Sequence, residues 1–241
     1  MTTAASNWPI LGTQPVGNFF QPDNVQRQPL GQTLSVSDPF YGGQELVYLA
    51  IPTSTALNVG HAVTWDVNNR IAALPNTANL GFPVAFSLNS VASDATNIQY
   101  GWFIIEGQAL CWSNASVAAA AAIGIVAAGQ LGANSAGKEI LGARVAAAAT
   151  TTVVKANTRT QSGSTVIFPS NTDGWFVGMA MTGTGIAASS VITAIGDLNR
   201  VTLNNAATAT GSVSVTGTRN DGTNFWNLVV VDRPQSQGAI T

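Results

Sequence analysis

Tyr100-Gly-Trp-Phe-Ile-Ile-Glu-Gly-Gln-Ala-Leu-Cys-Trp112 is the stretch on which the fold turns. Aromatic and β-branched residues dominate its first half, and Gly107 interrupts it near the middle. It reads as a strand, a glycine turn or bulge, and a second strand. The same period of two recurs on both sides. Upstream lie Glu45–Ile51, ending at Pro52, then Ala62–Val67, an Asn68-Asn69 turn, Arg70–Leu74 and Gly81–Leu88. Downstream, Glu139–Val145 and Phe225–Val231 are strand-like in the same way. Period two over so many short segments predicts an all-β chain.

Between these segments the texture changes three times. Residues 1–44 carry prolines at 9, 15, 22, 29 and 39, together with Trp8, Ile10, Phe19, Phe20, Phe40 and Tyr41. Proline disfavours helix and central strand, whereas a disordered tail is normally poor in aromatics. An extended N-terminal arm is expected, lying on a neighbour or strapped over its own domain. Val117–Ala128 is rich in alanine but interrupted by Gly124 and β-branched residues, which leaves a short helix and a strand with loops equally open. Residues 158–220 contain small strand patterns separated by Gly, Asn or Asp, including Thr165–Pro169, Trp175–Met181, Ser190–Ile195, Arg200–Leu203 and Ser212–Thr216. The expected organisation is a compact β-barrel or sandwich-like main domain (45–157 plus 221–241), the arm (1–44) and an inserted small β module (158–220). Residues from Arg233 onward read as a loose exit tail.

Charge bounds the function. Only 8% of the 241 residues are Asp, Glu, Lys or Arg, against about 25% in an ordinary soluble domain. The 31 residues between Glu106 and Lys138 carry no formal charge. Two lysines and seven scattered arginines make no basic stripe, so direct nucleic-acid binding is not expected. The longest apolar run, Val117–Ala128, is 12 residues, too short to span a bilayer, and no membrane partner is expected. Met1-Thr-Thr-Ala-Ala-Ser6 lacks the basic and apolar regions of a signal peptide. A surface meant to be covered by neighbours, or solvated by Thr, Ser and Asn, fits this composition.

Reactive chemistry is hard to find. Cys111 is the single cysteine and His61 the single histidine, which excludes an intrachain disulfide and a multi-histidine metal site. His61 comes after a glycine at the start of a strand and reads as a partly exposed loop residue. Cys111 reads as a small buried thiol; paired with His61 it could act as nucleophile and base, but no motif supports this. The carboxylates Asp66, Asp94, Glu106, Asp173 and Asp197 are spread singly. Gly183-Thr-Gly185-Ile-Ala-Ala188 has the spacing of a dinucleotide phosphate turn, but Ser190–Ile195 just after it is β-branched and makes no amphipathic helix, so a β-turn is expected. A non-enzyme without cofactor or metal is the reading.

The middle of the chain resembles the head-decoration, or cement, proteins of tailed bacteriophages. The residues that carry this are Gly101-Trp-Phe-Ile-Ile-Glu-Gly-Gln-Ala109, Ala127-Ala-Gly-Gln-Leu131, Ser135-Ala-Gly137 and Leu141-Gly-Ala-Arg-Val-Ala-Ala147. The resemblance spans about residues 45–155 and implies a compact β domain on the outer capsid surface, commonly trimeric at three-fold positions. A second likeness, over Val177–Ile186 and Val201–Thr208, is to short β units in phage tail and other virion proteins. Family members are shorter, without the long arm or the 158–220 module.

Two functions are therefore expected in order. The first is a structural virion protein that cements neighbouring major capsid subunits as a homotrimer, with Trp8, Ile10, Phe19, Phe20, Phe40 and Tyr41 as contact residues. The alternative is a virion-surface adhesin that recognises a host glycan or receptor through the 158–220 module, with Trp175 as the exposed recognition residue. Trp175 has a competing reading as that module's core.

Overall fold

The computed structural model describes residues 22–196 and 198–239, and the backbone of two short strands before them. Those strands, β1 (Ile10–Leu11) and β2 (Gln14–Pro15), pair with each other. The main sheet takes β3 (Thr33–Asp38), β4 (Gly42–Ile51), β5 (Ala62–Trp65), β6 (Ile71–Ala73), β7 (Ala85–Ser87), β8 (Gln99–Ser113), β9 (Ile123–Ala127), β10 (Gln130–Ala133) and β11 (Ile140–Ala147). A second sheet comes next: β12 (Thr152–Thr160), β13 (Val166–Ile167), β14 (Ala180–Gly183), β15 (Ser190–Ile195), β16 (Val201–Leu203) and β17 (Gly211–Thr218). The chain then returns to the main sheet as β18 (Phe225–Ser236). No helix occurs among the described residues, and the fold is all-β.

β8 is the axis of the main sheet, paired with β4, β7 and β18, all antiparallel. Both its faces are buried. Trp102 and Ile104 enter one core, with Leu46, Tyr48, Phe86, Ile123, Leu131 and Val229, while Phe103 and Ile105 enter another, with Val47, Leu49, Val63 and Ile71. Beyond Gly107 the parity reverses: Ala109 and Cys111 face the first core and Leu110 a third. A one-residue bulge is what reverses parity in a strand. The β4–β8 register skips Ile105, with Leu46 opposite Ile104 and Glu45 opposite Glu106. Gly107, just beyond it, sits at φ +96°, where a Cβ would lie 2.4 Å from the Gly43 carbonyl oxygen. Of the two sequence readings at this glycine, the bulge is the one adopted.

The alanine-rich stretch forms a turn-containing loop that leads into β9. Ile123 and Ile125 point into the first core, and Ala120 sits at φ +65°. Burial of the two isoleucines outweighs alanine's helix preference.

The second sheet is ordered β12-β17-β14-β15-β16-β13. Phe168, just past β13, exchanges backbone hydrogen bonds with Arg159 of β12, which closes a six-stranded barrel. The barrel starts at Thr152, inside the segment assigned to the main domain from sequence, because Thr152 already pairs with Thr218. It interrupts the β11–β18 pairing: Ala147 lies opposite Leu228, so the chain leaves and re-enters the main sheet at one place. Buried Asn227 ties that junction. Its Oδ1 accepts from the backbone N–H of Val117 and Ala149, both at 2.9 Å, and its Nδ2 donates to the Ala115 carbonyl at 3.0 Å.

Two sequence readings need correction. Arg233–Ser236 is no loose tail but the end of β18, with Ile140 opposite Ser236 and Leu141 opposite Gln235. Pro234 is tolerated because the β11–β18 register skips at this point, so no ladder donor is lost. The arm, in turn, is body from Pro22 onward. Asp23 and Tyr100 exchange backbone hydrogen bonds, Leu30, Leu34 and Val36 pack on the first core, and β3 pairs along β4 from Thr33 to Asp38.

Candidate functional site

The third core joins the two sheets and decides what happens to the residues singled out from sequence. It holds Tyr41, Val59, Leu110, Trp175, Phe176, Met179, Trp226 and Leu228, so the barrel's interior is continuous with the outer face of β8 and β18. Trp175 is 0% exposed, and its Nε1–H donates to the Val153 carbonyl at 3.1 Å. It is the barrel's core residue and no exposed recognition residue: a large ring with a satisfied N–H is stable inside.

Phe40 and Tyr41 lie against the same chain. Phe40 meets Tyr41 edge-on, with ring centroids 5.0 Å apart at 86°, and covers Gly174 at the barrel base. Tyr41 is buried and closed to a neighbour, whereas Phe40 keeps 40% of its surface exposed. Trp8, Phe19 and Phe20 lie outside the described residues, and Ile10 is described only as backbone of β1.

His61 also differs from its sequence reading, being buried instead of partly exposed. Its ring stacks on Trp112, with centroids 5.2 Å apart at 22°, and lies on Gly129 of the β9–β10 turn. Neither ring nitrogen has a hydrogen-bond partner among the described residues, and burial pulls the imidazole pKa down to about 4. The Cys111 thiol is fully buried in the first core, its pKa pushed up to about 12 by desolvation, and its hydrogen-bond partners among the described residues are Ser113 and the Trp112 carbonyl. Strand alternation sends Cys111 into the first core and packs Trp112, with His61 stacked on it, against the third, so the two are not brought together. Gly183 and Gly185 form a turn closed by the Ile186 N–H on the Gly183 carbonyl, and strand β15 comes after it.

What the structure does assemble is a surface. Within the charge-free stretch, Asn114, Ala115, Ser116, Ala118, Ala119, Ala120, Ala133, Asn134, Ser135 and Ala136 are all exposed. They belong to neighbouring pieces of chain. The Asn114 N–H donates to the Leu131 carbonyl, the Asn114 side chain abuts Gly132, and Asn134 abuts Gly124. The result is a patch of short, uncharged side chains on the β9–β10 hairpin and its flanks. The four segments that carry the decoration-protein resemblance sit in this part of the main sheet: in β8, at the β9–β10 turn, in the loop before β11 and in β11 itself. Sequence reasoning marks the stretch as charge-free but has no signal that it folds into one face.

Charge lies at the edge of this patch, where Asn134 Nδ2 donates to Glu139 Oε2 at 3.3 Å and Glu139 pairs with Arg144 at 2.9 Å, and in a separate cluster. The Arg233 guanidinium lies 2.5 Å from a Glu45 carboxylate oxygen and 4.0 Å from one of Glu106, where β4, β8 and β18 meet.

Comparison with protein-family models, with curated proteins and with solved structures gives no match for this chain.

Proposed function

We propose that this chain is a structural virion protein that binds the outer surface of a tailed-phage capsid and cements neighbouring capsid subunits, as a trimer. The observation that carries the reading is the uncharged face on the β9–β10 hairpin. Its exposed alanines and serines can be covered by a partner without desolvating a charge of their own, and they lose little rotamer freedom on burial. Low charge across the whole chain and the decoration-protein resemblance support it. Because each contact of this kind is weak, occupancy depends on several copies engaging together. The adhesin alternative loses its recognition residue with the burial of Trp175.

The test is co-sedimentation of purified chain with capsids, comparing wild type with Ala119→Glu/Ala133→Glu. The pair is expected to weaken shell binding at least about tenfold while leaving thermal unfolding unchanged, since both residues are exposed. Equal binding by the two proteins would refute the proposal. Truncation belongs at residue 21 and not at 40, because a deletion to 40 removes β3 and the packing of Leu30, Leu34 and Val36.

A further inference from the structure

Arg219 sits directly after the last barrel strand, at the point where the chain turns back towards β18. Its carbonyl accepts the Trp226 N–H at 2.8 Å, which holds it against the third core, and only 2% of the residue is exposed. A guanidinium stays protonated at any ordinary pH, and burying one without a counter-charge is costly. Among the described residues Arg219 takes part in no ion pair, and its Nε and Nη1 have no hydrogen-bond partner.

The carboxylates nearest in the chain to Arg219 and Tyr41 are already engaged. Asp221, two residues on, accepts from the N–H groups of Thr223 and Asn224 and from Asn224 Nδ2. Asp38 accepts from the N–H groups of Phe40 and Tyr41. The Tyr41 hydroxyl, 4% exposed, lies within range of the guanidinium's charge and is likewise without a hydrogen-bond partner among the described residues. Burial raises the phenol's pKa, so the hydroxyl keeps its proton and can donate it. Arg219 therefore brings an unbalanced charge and two unpartnered N–H donors to the barrel base. Thr172 Oγ1 and Asp173 Oδ1, beside Gly174, also lack hydrogen-bond partners among the described residues, but no carboxylate is among the charges that act on the guanidinium. Water would satisfy the hydrogen bonds and leave the charge unbalanced, whereas a small anion answers both needs.

We propose that Arg219 and the Tyr41 hydroxyl hold a small monovalent inorganic anion of chloride size at the junction between barrel and main sheet. Near-complete burial of both side chains excludes a phosphate ester or a partner's carboxylate. The bound ion stabilises the seating of the barrel on the main domain, because its ligands come from opposite sides of the junction.

The experiment is thermal unfolding of the full chain in sodium chloride and in sodium gluconate at matched ionic strength. Chloride is expected to give a saturable rise in Tm of roughly 3–6 °C over gluconate, reduced in Tyr41→Phe and abolished in Arg219→Met. Crystals soaked in bromide are expected to show an anomalous peak beside the Arg219 guanidinium. Should Arg219→Met fail to fold, Tyr41→Phe and the bromide peak still decide the matter. Equal Tm in the two salts, a rise that persists in the variants, or a water in place of bromide would each overturn the proposal.

Discussion

Arg159 and Phe168 exchange both of their backbone hydrogen bonds, at 2.9 and 3.0 Å, and this single pair joins the first and last strands of the barrel. An open sheet of the same strands would present two edges able to pair with other chains, and closure removes them. Phe168→Pro deletes the N–H that Arg159 accepts and is expected to destabilise the protein by about 1–3 kcal/mol in urea unfolding. Phe168→Ala keeps that N–H, and the ring is 46% exposed, so a smaller loss is expected from it. Equal losses would show that the side chain, and not the backbone pair, matters here.

Gly129 and His61 are matched by shape. Gly129 sits at φ +68°, and a Cβ there would lie 1.8 Å from His61 Nε2. Gly129→Ala is expected to cost about 2–4 kcal/mol, combining a disfavoured backbone with a clash in packed surroundings. Adding His61→Ala makes room for the methyl group. The two changes are therefore expected to be non-additive, with the double variant recovering part of the loss. Strict additivity in a double-mutant cycle would exclude the contact as the cause.

The same burial makes stability depend on pH. His61 titrates near 6.5 when unfolded and near 4 when folded, because desolvation penalises the imidazolium. Between those values the unfolded chain binds more protons, so stability is complete above pH 6.5 and is lost as pH falls towards 4. The loss amounts to roughly 3 kcal/mol at most. Denaturant unfolding at pH 7.5 and 4.5 measures it, and His61→Leu is expected to flatten this part of the profile. Parallel pH profiles for the two proteins would reject the assignment to His61.

Much of the strand content is legible in the residues themselves. Alternation in Glu45–Ile51, Ala62–Val67 and Phe225–Val231 foretells β4, β5 and β18, and the Asn68-Asn69 turn falls between β5 and β6, as its residue types demand. What local pattern cannot carry is pairing across long separations. Gly107 is ambiguous between turn and bulge until Gly43 is found against it. Pro234 looks like the start of a tail until the register skip opposite Gly142 shows why a strand tolerates it. His61 looks exposed because nothing near it in sequence says that Trp112 and Gly129 will enclose it. The uncharged face is half legible: its composition is plain, while its shape depends on Asn114 meeting Gly132 and Asn134 meeting Gly124.

β18 lies between β11 and β8 in the main sheet, yet it comes last among the described strands. During synthesis β8 and β11 must therefore wait, with one side unpaired, until everything up to Ser236 has emerged. The barrel has no such dependence, since its six strands lie between Thr152 and Thr218 and it can close while β18 is still being made. Once closed, it brings the ends of β11 and β18 together at Ala147 and Leu228 and shortens the loop that the final strand has to bridge. An insertion that looks like an ornament on the main domain is thus the piece that lets the main domain finish.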